Sequence, residues 1–137
     1  MASWWTHWKS APAIKEQATA PAPPQFIYLK LPLARLARPT REALSATLHW
    51  RLQQDGCGEV VSSGDSLGPP DAQGTRRPAW WRLDIEVRAL GPARQLLREV
   101  LDAVGAPEGC EVHFTEAGRR LQDLRLGNGW QLGLPTA

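Results

Sequence analysis

The sequence predicts a two-layer α+β sandwich, an antiparallel sheet with two helices packed on one face. Three observations carry this reading. First, Trp81, Leu83, Ile85, Val87 and Ala89 alternate with Arg82, Asp84, Glu86 and Arg88. Period two of this kind means a strand with one packed face and one wet face. Second, two segments repeat at helical spacing instead. Leu44, Leu48 and Leu52 form one stripe, and Ala93, Leu96, Leu97, Val100, Leu101 and Val104 form a broader one. Third, the elements follow in the order strand, helix, strand, strand, helix, strand. A doubly wound parallel sheet would need strands that are apolar on both faces.

Residues 1–24 stand apart. Trp4, Trp5 and Trp8 sit in a short aromatic tail, and Pro12, Pro21, Pro23 and Pro24 punctuate an Ala/Pro-rich linker that has little to bury. Residues 25–137 are expected to form a single domain. Phe26–Leu31 is β-rich and stops at Pro32. The first helix is expected after Pro39, with Thr40 as its N-cap and Gly56 closing it. A short second strand follows over 59–63. Gly64–Ala79 holds Gly68, Pro69, Pro70, Gly74 and Pro78 and reads as a long irregular loop. The second helix opens at Gly91-Pro92 and ends before Gly105 and Pro107. Cys110, Val112 and Phe114 should face inward from the fourth strand, with Glu111 and His113 outward. Segments 121–126 and 130–134 flank Gly127-Asn128-Gly129, a hairpin signal. Two split β-α-β units in this order make a ferredoxin-like sandwich, βαββαβ, with an additional C-terminal hairpin.

The chain's 137 residues suit one core. Its net charge of +2 demands neither nucleic acid nor an anionic membrane as a partner. No run approaches the roughly 18 apolar residues of a membrane-crossing helix, and the N-terminus lacks the pattern of a secretory signal. Cys57 and Cys110 are too few for a disulfide scaffold and have no zinc-ligand spacing. They read as unbonded, semi-buried thiols of a reducing cytoplasm.

Gly64-Asp65-Ser66-Leu67 spells the signature of the GDSL esterases and lipases, in which the serine is the nucleophile. A serine needs a base within hydrogen-bond reach. The Asp-x-x-His that supplies it in that family is absent here, so Ser66 is expected to be dispensable. His113, Glu111, Asp84 and Glu86 are expected to share the open polar face of the sheet, where acid–base work or simple cross-strand pairing are the alternatives. RRM domains share the topology and stack bases on exposed aromatics. Tyr28 and Trp80 are the candidates, but Arg82, Asp84, Glu86 and Arg88 mix signs, and the RNP-type run is missing.

The segments Gly56-Cys57-Gly58-Glu59-Val60-Val61, Leu83-Asp84-Ile85-Glu86-Val87, Leu96-Leu97-Arg98-Glu99-Val100-Leu101 and Gly105–Phe114 resemble a group of small bacterial ferredoxin-like proteins, some of them similar to immunity proteins found beside secreted toxins. The likeness spans about residues 26–114, rests on hydrophobic and turn positions, and implies no catalytic residues. The expected function is a non-catalytic cytoplasmic protein-binding module, in its narrower form an immunity protein that neutralises a toxin. It needs no cofactor or metal. Trp80, Trp81, Arg76, Arg77 and Arg82 at the end of the long loop, with His113, are the expected partner-binding residues, because Trp and Arg dominate interface hot spots. Two alternatives stand beside it: a small serine hydrolase using Ser66, and a homo-oligomer in which a second copy covers the open sheet face.

Overall fold

A computed structural model describes residues 24–136. The expectations for Trp4, Trp5, Trp8 and the Ala/Pro-rich linker lie outside those residues. The elements are β1 (Gln25–Pro32), a 3-10 turn (Leu33–Arg35), α1 (Arg38–Asp55), β2 (Gly58–Leu67), β3 (Pro78–Val87), α2 (Leu90–Ala103), β4 (Glu111–Glu116), β5 (Arg119–Leu126) and β6 (Gly129–Pro135). The strands form one antiparallel sheet in the order β2-β3-β1-β4-β5-β6. The chain is therefore α+β, as the periodicities predict. The sheet has six strands and is ordered differently from the expected four-stranded ferredoxin-like sheet, with β5 and β6 outside β4.

Both helices cover the same face. Ile27, Leu29 and Leu31 of β1 and Trp81, Leu83, Ile85 and Val87 of β3 are buried beneath Leu44, Leu48 and Leu52 of α1 and Ala93, Leu96, Leu97, Val100 and Leu101 of α2. Val112 and Phe114 extend this core into β4. The α1 stripe is narrow and the α2 stripe wide, as their spacings imply.

Local chemistry explains the boundaries. α1 begins at Arg38, one turn earlier than a Thr40 cap would place it. Ala37 is the N-cap and makes no side-chain cap bond, while Pro39 sits in the first turn, where a missing N–H leaves no helical bond unmade. Gly56 closes the helix at φ 66°, a left-handed conformation that costs glycine little. A Cβ at Gly58 would collide with the Glu86 carbonyl, so the entry to β2 also requires glycine.

The expected loop over 64–79 is shorter than its composition suggests: β2 runs on to Leu67 and β3 begins at Pro78, which leaves residues 68–77 as the loop. β2 runs to Leu67, with Gly64 opposite Arg82, Asp65 opposite Trp81 and Ser66 opposite Trp80. Backbone pairing with β3 and polar side-chain contacts such as Arg41–Asp65 hold this part of the edge strand, so its Ser-Ser-Gly-Asp-Ser run carries no apolar alternation to betray it. Hydrogen bonds order this β2–β3 reversal. Gly68 N donates to Arg77 O at 2.8 Å, and Asp71 Oδ1 accepts from the backbone N–H of Gln73 and of Thr75, each at 2.9 Å. A second hairpin, between β4 and β5, turns on Ala117 and Gly118 at φ 52° and 75°. Two consecutive residues at positive φ are the mark of a type I′ turn.

Cys57 and Cys110 are both unbonded and buried. Cys110 leads into an interior strand, because β5 and β6 lie outside β4. Its thiol donates to the Pro107 carbonyl at 3.0 Å. Burial pushes its pKa up to about 12, and burial, together with the Asp55 charge, also raises that of Cys57. The thiolate is the reactive form. Both cysteines should therefore resist iodoacetamide at pH 8 in the folded protein and label fully once it is unfolded in urea, read by mass spectrometry. Rapid labelling of Cys110 in the native protein would contradict this burial.

Candidate interaction surface

Side chains that alternate away from the helices line a sheet face that no other element among the described residues covers. β1 contributes Phe26, Tyr28 and Lys30; β3 contributes Trp80, Arg82, Asp84 and Glu86; β4 contributes Glu111 and His113. Register decides what they touch. Tyr28 lies directly opposite Asp84 on one side and His113 on the other. The His113 ring stacks on Tyr28 with centroids 4.5 Å apart and planes 8° from parallel. The Arg82 guanidinium carbon stands 4.0 Å from the Tyr28 ring centroid. β3 and β4 flank β1 on opposite sides, so the guanidinium and the imidazole take opposite faces of the phenol.

Hydrogen bonds extend this stack in both directions. Arg82 Nε donates to Asp84 Oδ1 at 2.8 Å, and Ser62 Oγ donates to Asp84 Oδ2 at 2.9 Å. On the far side His113 Nε2 pairs with Glu111 Oε1 at 2.7 Å. One continuous ladder, Ser62–Asp84–Arg82–Tyr28–His113–Glu111, thus crosses β2, β3, β1 and β4. Beside it Lys30 Nζ lies 4.9 Å from the Trp80 ring centroid. Exposed pairs of this kind each contribute a fraction of a kcal/mol. Their main effect is to fix rotamers, which reduces the entropy lost when a partner docks.

The six expected partner-binding residues do not form one patch. Trp80, Arg82 and His113 share the open face. Trp81, next in sequence to Trp80, points the other way and is buried in the core, because neighbouring residues of a strand face opposite sides. Arg76 and Arg77 are exposed but belong to the β2–β3 reversal, where Arg76 Nε donates to the Gly68 carbonyl at 2.8 Å. Of the four expected acid–base residues, only His113 and Glu111 are bonded to each other. Asp84 is taken by Arg82 and Ser62, and Glu86 faces Phe26 and Glu59.

Ser66 shares the open face with Trp80, its cross-strand partner. His113 lies three strands away, roughly 14 Å at ordinary strand spacing. His49 lies on the helix side, in a cleft of about 530 Å³ between α1 and β2 lined also by Arg41, Ser45, Ser63 and Trp81. Neither histidine can serve as base to Ser66.

The helix side hides a charge cluster that periodicity does not announce. Asp123 of β5 is fully buried. Its Oδ1 accepts from Arg94 Nη2 at 2.7 Å and from Gly133 N at 2.9 Å; its Oδ2 accepts from Arg94 Nε at 3.0 Å and Arg98 Nη1 at 3.0 Å. The Arg94 guanidinium also lies 3.9 Å from the Phe114 ring centroid. The i, i+4 spacing of Arg94 and Arg98 on α2, opposite an acid at an inward position of β5, is the signal that was there to read.

Among the described residues no three His, Cys, Asp or Glu side chains gather where they could hold a metal ion, and no helix is long and apolar enough to cross a membrane. No family model, no curated protein and no solved structure matches the chain.

Proposed function

We propose that the protein is a non-catalytic protein-binding module that docks a partner on its open sheet face, with β1–α1–β2–β3–α2–β4 as a ferredoxin-like unit extended by the C-terminal hairpin. The observation that carries this reading is the ladder centred on Tyr28, in which Arg82 and His113 hold the ring from both sides. Trp, Tyr and Arg are the side chains from which interface hot spots are built. Here they are already fixed in place, with exposed Phe26 beside them. The separation of Ser66 from His49 and His113, the two histidines among the described residues, counts against the hydrolase alternative. Tyr28, the β1 aromatic expected to stack a base, has both ring faces taken by Arg82 and His113, and the open face mixes Arg82 with Asp84 and Glu86, which counts against a nucleic-acid reader. A toxin-neutralising role is the narrower form of this proposal, since an inhibitor of that kind needs a rigid complementary surface rather than a nucleophile.

Tagged wild type and an Arg82→Glu variant, captured side by side from the cells that encode the chain, test it. The expected result is one protein recovered in stoichiometric amount with wild type and depleted by about tenfold or more with the variant, a loss of roughly 1.4 kcal/mol in affinity. The two baits should have matching melting temperatures. Equal recovery with both baits would contradict the assignment. A wild-type dimer in light scattering that Arg82→Glu dissociates would give the face to a second copy instead.

A further inference from the structure

We propose that a recess at one end of the open face binds a small organic acid, a carboxylate carried on an aromatic or branched apolar body. This goes beyond the protein-binding reading and does not depend on it. The recess lies among β1, β4 and β5 and encloses about 310 Å³, the lower end of the size range of small-molecule sites. Phe26 and Tyr28 give it aromatic walls, Phe114 and Leu121 border it where their side chains turn into the core, and His113, Thr115, Arg120 and Thr136 give it hydrogen-bonding groups; no Asp or Glu lines it. Arg82, Arg94, Arg98 and Arg125 each meet a carboxylate within the protein. Among the described residues the Arg120 guanidinium meets none. Its planar fork matches a carboxylate better than any other side chain does. His113 is held in one orientation by Tyr28 and Glu111, so it lines the recess as a fixed wall. A cation without an acid, set beside the Phe26 and Tyr28 rings in a concavity, is complementary to an anion with an apolar body. A bare inorganic anion would leave the walls uncovered, and a neutral aromatic would leave the guanidinium without its counter-charge.

Benzoate, benzamide and inorganic phosphate are the probes, titrated into the full chain and followed by backbone and arginine Nε–H resonances. The expected result is saturable benzoate binding, with shifts centred on Phe26, Thr115 and Arg120, and binding of benzamide and of phosphate weaker by about tenfold or more. Arg120→Gln should weaken benzoate by a similar factor at an unchanged melting temperature. Phe26→Ala should weaken benzoate but leave phosphate unaffected. Benzamide binding as tightly as benzoate would overturn the need for a charge, and phosphate binding as tightly would overturn the need for an apolar body. An absence of saturable shifts, or an Arg120→Gln variant that binds benzoate like wild type, would overturn the site itself.

Discussion

Asp123→Ala should destabilise the fold by about 3 to 5 kcal/mol, the cost of breaking a buried ion pair by removing one partner. The carboxylate has no exposed surface and accepts four hydrogen bonds, from Arg94 twice, from Arg98 and from the Gly133 backbone. Without it the two guanidiniums, whose side chains are only 17% and 21% exposed, keep their charge against the core with no acceptor. β6 also loses the anchor of its Gly133 N–H. Asp102 is the natural control. It too accepts from an arginine and a further donor, Arg125 Nε and Trp130 Nε1, but its side chain is 52% exposed. Water can replace what it loses, so Asp102→Ala should cost under about 1 kcal/mol. Urea unfolding of the two variants reads the difference. Equal costs would mean that Asp123 is not sealed under α2. By the same logic Arg94→Ala should be clearly more harmful than the loss of an ordinary surface arginine. Placed by periodicity alone on the wet side of α2, Arg94 and Arg98 would each be expected to cost less than about 1 kcal/mol.

Leu97→Ala should cost about 2 to 5 kcal/mol through lost burial and the cavity left behind. Leu97 is wholly buried in the middle of α2, within the cluster that joins both helices to β1 and β3. That loss is a large share of a small domain's stability. Thermal or urea unfolding measures it. A cost near that of an exposed substitution would mean that α2 does not pack on the sheet with this stripe.

How much of this was legible in the sequence varies by element, for physical reasons. β3 and α2 were legible because each has one dry face and one wet face, and burial imposes a period on both. β2 was not legible beyond residue 63. It is an edge strand held by backbone bonds to β3, and its outer residues bury nothing that would select apolar side chains. The β4–β5 hairpin escaped notice because Ala117 stands in the positive-φ position that Asn or Gly usually marks. Five of the six expected site residues lie together in the chain between Arg76 and Arg82, whereas strand alternation sends Trp80 and Trp81 to opposite sides of the sheet. Tyr28 and His113 are 85 residues apart in the chain and become neighbours only through the β1–β4 register. The Asp123 cluster was missed because an acid at an inward strand position looks like a break in the pattern until two arginines are placed above it.

The most direct measurement is a chemical-shift map of the isotopically labelled protein with its captured partner. If the open sheet face is the docking surface, the side-chain and backbone signals of Tyr28, Lys30, Trp80, Arg82 and His113 should move or broaden together, while Leu48, Leu97 and Val100 on the helix side stay in place. Perturbations confined to the outer faces of α1 and α2, or to the β2–β3 reversal around Arg76 and Arg77, with the Tyr28 ladder unchanged, would contradict it.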